Sequence, residues 1–413
     1  MQPRRLVILA YHFPPGSAVG AARPFRFFKY LPQFGYSPYV ITASPPAGPG
    51  APEVECIPDR VGELWERRRE ERGRLPMAAQ VERVLRKYCF PAAVGLAWSG
   101  PAARAARAVV DQHRHIPVAL LSTYPPLGVH LAAWRVVCRR RVPWVADFRD
   151  PITVGQLRHL LSGPQRAAYA FLENGVFRQA RAVIVNTDET AEAYRKAYPF
   201  AARKIHVIPN GFDPGDRLSA LPIPARAYRL LVHAGALYGG RNPNLILESL
   251  ARLRAVQDRG ACRTRVLLVG EVGGVAGLAE PLMNTAAQEG WLEFIPRRVP
   301  QEEAHRIMQQ ADGLLLLQPQ AALEVPAKLF ECLSIGRPIL ALVPRHSAVE
   351  AILSQAGIPF CCVHPDETPG AVDAKISAFL HLPSTPVEAS PWFQERFNAV
   401  AQTRQLAELL DQL

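Results

Sequence analysis

The sequence predicts an α/β protein of two doubly wound, Rossmann-like domains with parallel sheets, and three observations carry that expectation. The chain has 413 residues, more than one hydrophobic core usually supports. Short apolar, β-branched runs alternate with longer helical stretches from end to end. The alternation pauses over 212–227, where prolines and polar residues gather.

Six runs in the first half read as strands: Leu6–Tyr11, Tyr39–Thr42, Val118–Ser122, Trp144–Phe148, Ala182–Asn186 and His206–Ile208. Six more follow: Leu230–His233, Val266–Gly270, Leu292–Ile295, Gly313–Leu317, Pro338–Val343 and Pro359–Val363. They are continuously apolar rather than alternating, the mark of strands buried on both faces. Helices between them impose right-handed crossovers, hence parallel pairing. The expected division is 1–215, 216–385 and a tail, 386–413. Its helical apolar spacing (Phe397, Val400, Leu406, Leu409, Leu410) suits packing back onto the first domain. Residues 43–90 read as an irregular insertion, and its charged run Leu64–Tyr88 suits a solvated helix or a membrane-surface helix.

Composition narrows the function classes. Hydrophobic residues at 49% and charged residues at 20% describe a globular chain, not a disordered one. The formal charge of +12 points to nucleic acid, an anionic membrane surface or phosphate-bearing substrates. The basic clusters, Arg67 to Arg74, Arg135 to Arg141 and Arg297–Arg298, lack the interleaved aromatics of a single-strand platform. No paired Cys and His spacing supports a zinc finger. Phosphate substrates and an anionic membrane face are therefore expected, and nucleic acid is not. The seven cysteines are dispersed and odd in number, which suits a reducing compartment. The opening apolar run is too short for a signal-peptide core, and nothing approaches the roughly 20 apolar residues of a membrane span. The expected location is cytoplasmic, resting on the inner face of the plasma membrane.

Four segments could carry chemistry. The first strand runs into Tyr11 to Arg23, a loop with His12, Gly16 and Gly20 leading into a helix. Glycines there let backbone approach a ligand, and a helix N-terminus offers N–H groups to an anion. The G-x-G-x-x-G fingerprint is absent, which disfavours NAD. Trp144 to Pro151 puts Asp147, Arg149 and Asp150 at the C-terminal end of a strand, where a loop-tying salt bridge and a functional role are both open. Ala234 to Pro243 sets Gly235, Gly239, Gly240 and Arg241 ahead of a helix, an arrangement suited to a diphosphate. Pro326 to Pro338 places Lys328 and Glu331 three apart, on one face of a helix start. The lysine can meet phosphate oxygens while the glutamate accepts bonds from sugar hydroxyls.

Together these segments resemble the retaining family-4 glycosyltransferases of GT-B architecture, closest to bacterial members making cell-surface polysaccharides. The resemblance rests on Tyr11 to Arg23, Asp147 to Pro151, Ile208 to Asp213 and the Pro-x-Lys-x-x-Glu then Gly-x-Pro pattern of Pro326 to Pro338, in that order. It implies two domains facing a central cleft. Arg241 and Lys328 would bind the donor diphosphate, with Glu331 on the ribose and Arg298 near the base. Gly16, Gly20, Gly239 and Gly240 would lie close to the donor phosphates. His12, Arg23, Asp147 and Arg149 would lie on the acceptor side, with Asp150 near the transferred sugar. One departure stands out. The family's two glutamates have seven residues between them, whereas Glu324 and Glu331 have six, so Glu324 is one place out of register.

The resemblance implies transfer from a nucleotide sugar to a glycan or lipid-linked acceptor, with retention and without a protein nucleophile, cofactor or metal. The nucleotide sugar is itself a substrate. Two other readings of the same fold are a sugar-nucleotide epimerase and a non-catalytic sugar-nucleotide-binding protein of a polysaccharide assembly complex.

Overall fold

A computed structural model describes residues 4–15, 19–45, 53–62, 84, 94–155, 158, 161–273 and 276–413. They form two compact units, Met1–Asn210 with Ala399–Leu413, and Gly211–Asn398.

The first unit is built on seven parallel strands: β1 (Arg4–Leu9), β2 (Tyr36–Thr42), β3 (Val54–Cys56), β4 (Val118–Tyr124), β5 (Trp144–Phe148), β6 (Ala182–Val185) and β7 (Ile205–Val207), ordered β3-β2-β1-β4-β5-β6-β7. Leu6 to Leu9 are wholly buried, as a strand covered on both faces requires. One face carries the helices Ser99–Gln112 and Gly128–Val137, joined in a core with Trp98, Trp144 and Phe148. The other carries Ala22–Tyr30 and the C-terminal helix Ala399–Asp411, where Phe27, Leu406 and Leu410 meet Leu6 and Ile8. Arg4 pairs with Asp411 at the end of that helix.

The second unit has six parallel strands: β8 (Arg229–Ala234), β9 (Thr264–Val269), β10 (Leu292–Ile295), β11 (Gly313–Leu317), β12 (Ile339–Leu342) and β13 (Phe360–Val363), ordered β10-β9-β8-β11-β12-β13. Each sheet therefore turns back beside its first strand, at β1|β4 and at β8|β11. In doubly wound sheets the crevice at such a switch point is where ligands bind.

All of the expected runs are strands. The addition is β3, which pairs Val54 with Val40 inside the stretch expected to be an irregular insertion. It is a three-residue edge strand, Val-Glu-Cys, and only half-buried, so it carries no apolar run to read. Most of the charged run 64–88 lies outside the described residues. The units divide at Asn210, five residues before the expected 215, because Phe212 packs into the second unit. Its ring stacks on Phe393 at 5.4 Å, and its N–H donates to the Phe397 carbonyl at 2.9 Å. The same aromatic cluster, with Phe330, keeps 386–398 in the second unit, so only Ala399 onward belongs to the first. Among the described residues no helix is long and apolar enough to cross a membrane.

Candidate functional site

In the second unit the loops after β8 and β11 meet at the switch point. The loop 235–243 leads into helix Asn244–Ala255, and the loop 318–326 leads into helix Ala327–Ile335. Gly240 has φ +79°, a left-handed backbone that favours glycine, and it lies against the Gln320 side chain. Gly239 is also left-handed, at φ +53°.

Arg241 crosses between the loops. Its guanidinium donates to Gln318 Oε1 at 2.9 Å and to the Tyr238 hydroxyl at 2.8 Å, and lies 4.6 Å from the Tyr238 ring centre. Gln318 is buried directly beyond β11 and donates from Nε2 to the Glu324 carbonyl at 2.8 Å. One amide thus ties Arg241 to the backbone of the second loop.

Lys328 stands in the first turn of helix Ala327–Ile335, and its Nζ donates to Glu331 Oε2 at 2.6 Å. His305, on helix Gln301–Gln309, brings Nε2 to 3.5 Å from the same oxygen. The helix ends at Gly336 (φ +76°), where a Cβ would strike the Val387 carbonyl oxygen at 2.2 Å.

Close to these charges His233, one residue before the end of β8, is buried, with Nδ1 3.1 Å from the Leu315 carbonyl. Burial lowers its pKa to about 4, and the positive charges of Lys328 and Arg241 push the same way. The switch point therefore joins two cations, a carboxylate and the N-terminal turn of a helix. Such a set can hold a diphosphate and accept bonds from hydroxyls. Arg298 is exposed on the loop after β10, and Glu324 is half-buried.

The first unit's residues fall differently. Arg23 donates from Nε and Nη2 to Asp147 at 3.0 and 2.9 Å, and also to the carbonyls of Pro209 and Ile208. Thr123 donates to Asp147 as well, at 2.8 Å. Asp147 is wholly buried and Arg23 nearly so, because helix Ala22–Tyr30 and the 208–210 segment cover this strand end. Arg149, also buried, donates to the carbonyls of Gly20, Tyr124 and Pro125. Arg23, Asp147 and Arg149, expected on the acceptor side, are thus internal ties between loops. Gly20 belongs to the same packing: a Cβ there would lie 2.7 Å from Arg149 Nη1. Asp150, the next residue, is exposed. His12 is half-buried, and burial with the charge of Arg149 lowers its pKa. Gly16 lies outside the described residues.

Beyond Asp150 the chain is anchored by Glu173. Its buried carboxylate accepts from the hydroxyls of Tyr194 (2.5 Å), Tyr198 (2.7 Å) and Thr153, while Ile152 N–H donates to the Tyr194 hydroxyl at 2.9 Å. Burial raises the Glu173 pKa.

The sequence reading missed Gln318, His233, Tyr238 and His305. Gln318 and His233 had a signal, a polar side chain at the end of an apolar strand run. His305 had none, since its helix meets Glu331 only through tertiary packing.

Residues 25–216 match the family described as Glycosyltransferase Family 4. The chain is 28% identical over 217 residues to the D-inositol 3-phosphate glycosyltransferase of Stackebrandtia nassauensis, covering 50% of this chain and 44% of that protein. It is 26% identical over 265 residues to the enzyme of that name from Saccharomonospora viridis, covering 58% and 55%. It thus spans about half the length of the curated relatives it matches. Among solved structures it resembles the sucrose-phosphate synthase of Thermosynechococcus elongatus, with TM-score 0.66, 14% identity and coverage of 99% and 98%. It also resembles Anabaena HepE in complex with UDP and glucose, with TM-score 0.58, 15% identity and coverage of 99% and 100%. At those identities the likeness concerns the fold.

Proposed function

We propose that the chain is a family-4 glycosyltransferase of GT-B fold that moves a hexosyl group from a nucleotide sugar to a glycan or lipid-linked acceptor, with retention of configuration, a reading supported by the family match of residues 25–216 and the likeness of the fold. The reading places it in the synthesis of surface polysaccharide or glycoconjugate. The observation that carries it is the pair of cations on the two loops of the β8|β11 switch point, Arg241 bonded to Gln318 just beyond β11 and Lys328 in the first turn of the helix that follows.

In this reading Arg241 and Lys328 bind the donor diphosphate and stabilise the negative charge that develops as the sugar departs. Gly239 and Gly240 bring backbone close to the phosphates, and Glu331 accepts from the ribose hydroxyls. Arg298 lies towards the base. Asp150 and His12 face the transferred sugar or acceptor. The leaving phosphate helps deprotonate the attacking hydroxyl on the same face, so the reaction needs no protein nucleophile. Side chains and helix ends handle the diphosphate without a metal.

A lipid-linked acceptor also calls for a membrane face. The first unit supports one with the exposed Arg104 and Arg139 beside Arg107 and Arg140. Desolvation lowers the Arg107 pKa, and Arg139, Arg140 and Arg104 lower it further, which marks a crowded cationic ridge. The names of the curated relatives favour a second acceptor class, a small phosphorylated polyol.

Titration with uridine, guanosine, thymidine and adenosine diphosphates and their sugars tests the donor reading, with wild type beside Lys328→Ala and Glu331→Ala. Selective binding of one nucleotide, weakened in both variants, is expected. No binding, or binding indifferent to both changes, would overturn the donor site. Turnover of the chosen donor with lipid-linked and phosphorylated-polyol acceptors then separates the two acceptor classes.

A further inference from the structure

Two side chains from two helices converge on one oxygen of a third, Glu331. Glu331 Oε2 receives Lys328 Nζ at 2.6 Å and lies 3.5 Å from His305 Nε2. All three are mostly buried, their side chains between 20% and 27% exposed, so bulk water does not freely stand in for either partner. His305 Nε2 is itself shut off from solvent and makes no hydrogen bond among the described residues. A buried ring nitrogen left in that state is poorly satisfied, and a small rotation of Glu331 would satisfy it.

The lysine has two claims on it. Unliganded, it sits on Glu331; with a diphosphate bound, its charge is drawn to the phosphate oxygens. Glu331 then loses its cation in a site that excludes much of the solvent, just when it must present a carboxylate to a sugar hydroxyl. His305 stands where it can take over Oε2 and leave Oε1 to the ligand.

We infer that His305 is a positioning residue that takes over Glu331 Oε2 when the donor draws Lys328 away, and thereby sets the preference for a ribose over a deoxyribose donor. The inference rests on the donor-site reading above, with Glu331 on the ribose. His305 touches no substrate; it acts through Glu331.

The test is calorimetric. Wild type, His305→Ala, His305→Gln and Glu331→Ala are titrated with the nucleoside diphosphate of the base the wild type selects, in its ribose and 2′-deoxyribose forms, and with inorganic pyrophosphate. The wild type is expected to prefer the ribonucleotide by about tenfold, the worth of one hydrogen bond to a charged group. His305→Ala should lose most of that preference while keeping its pyrophosphate affinity. His305→Gln, which retains a side-chain N–H donor, should recover part of it. A merely structural role would weaken all three ligands together, and that result would overturn the inference. So would a preference lost in Glu331→Ala but intact in His305→Ala, which leaves the donor site standing. Failure of the wild type to bind any nucleotide would remove the donor site and the inference with it.

Discussion

Arg23 and Asp147 form a two-pronged ion pair inside the first unit, with the helix Ala22–Tyr30 on one side and the end of β5 on the other. Removing one partner of a buried pair strands the other charge, which destabilises by about 3–5 kcal/mol. Asp147→Asn and Arg23→Ala should therefore lower the denaturation midpoint of the first unit strongly. Nucleotide affinity of the fraction that folds should stay at the wild-type value. An unchanged midpoint with lost transfer activity would instead return Asp147 to the acceptor side.

Gly20 and Arg149 make a second internal tie. Alanine at position 20 puts a Cβ 2.7 Å from Arg149 Nη1, and three backbone carbonyls pin that guanidinium in place. Overpacking of this kind typically destabilises by about 1–3 kcal/mol. Gly20→Ala should show that loss in urea denaturation, and Arg149→Lys alongside Gly20→Ala should recover part of it. Gly20→Ala with wild-type stability but weakened donor binding would mean the glycine serves a ligand.

How far the sequence reveals this site depends on what each residue's spacing encodes. The strands are visible because burial on both faces demands unbroken apolar runs such as Gly313–Leu317. Lys328 and Glu331 are visible because three-residue spacing on a helix start fixes a shared face. Asp147 and Arg149 were legible as charges at a strand end, where a loop-tying salt bridge and a functional role both stayed open. Whether a strand-end charge meets solvent depends on what later covers it, here Ala22–Tyr30 and 208–210. His305 and Gln320 act across elements, and no local pattern records such a meeting.

Two buried histidines make stability sensitive to acid. His130 is wholly buried, and its Nδ1 lies 2.8 Å from the Ser122 hydroxyl, which accepts from Trp144 Nε1. Burial, opposed by Asp147 and aided by Arg149, lowers its pKa to about 3, and His233 is held at about 4. A lowered histidine is neutral in the fold and protonates near 6.5 when unfolded, so its stabilisation is full above that value and is lost on acidification. Near pH 5 each histidine should add about 1.4 kcal/mol per pH unit to the slope of stability against pH. Urea denaturation between pH 7 and 4.5 should show a shallower slope for His130→Gln than for wild type. Parallel slopes would mean that His130 binds its proton in the fold.

The cationic ridge of the first unit gives a prediction about membranes. Asp111 takes up Arg114 and Arg140, while Arg104 and Arg139 stay exposed. Near an anionic surface each arginine contributes about 1 kcal/mol, so reversing two should weaken binding by well over tenfold. Flotation with phosphatidylglycerol-containing vesicles should carry the wild type but not Arg104→Glu with Arg139→Glu. Pure phosphatidylcholine vesicles should carry neither. Equal flotation on both lipids would sink the idea, as would stronger salt-dependent capture by duplex DNA.

Gln318 joins the loops 235–243 and 318–326, because its one amide accepts from Arg241 and donates to the Glu324 carbonyl. The amide holds the backbone of Glu324, not its carboxylate. Replacing Gln318 with alanine frees Arg241 to remain on Tyr238, which is exposed, and leaves the 318–326 loop without that tie. Loss of one charge-assisted bond should weaken nucleoside diphosphate binding by about tenfold. Glu324→Gln, which keeps the carbonyl, should leave that affinity within about twofold. If Glu324→Gln abolishes donor-sugar discrimination while Gln318→Ala is silent, the carboxylate reads the sugar from its shifted position and the amide merely packs.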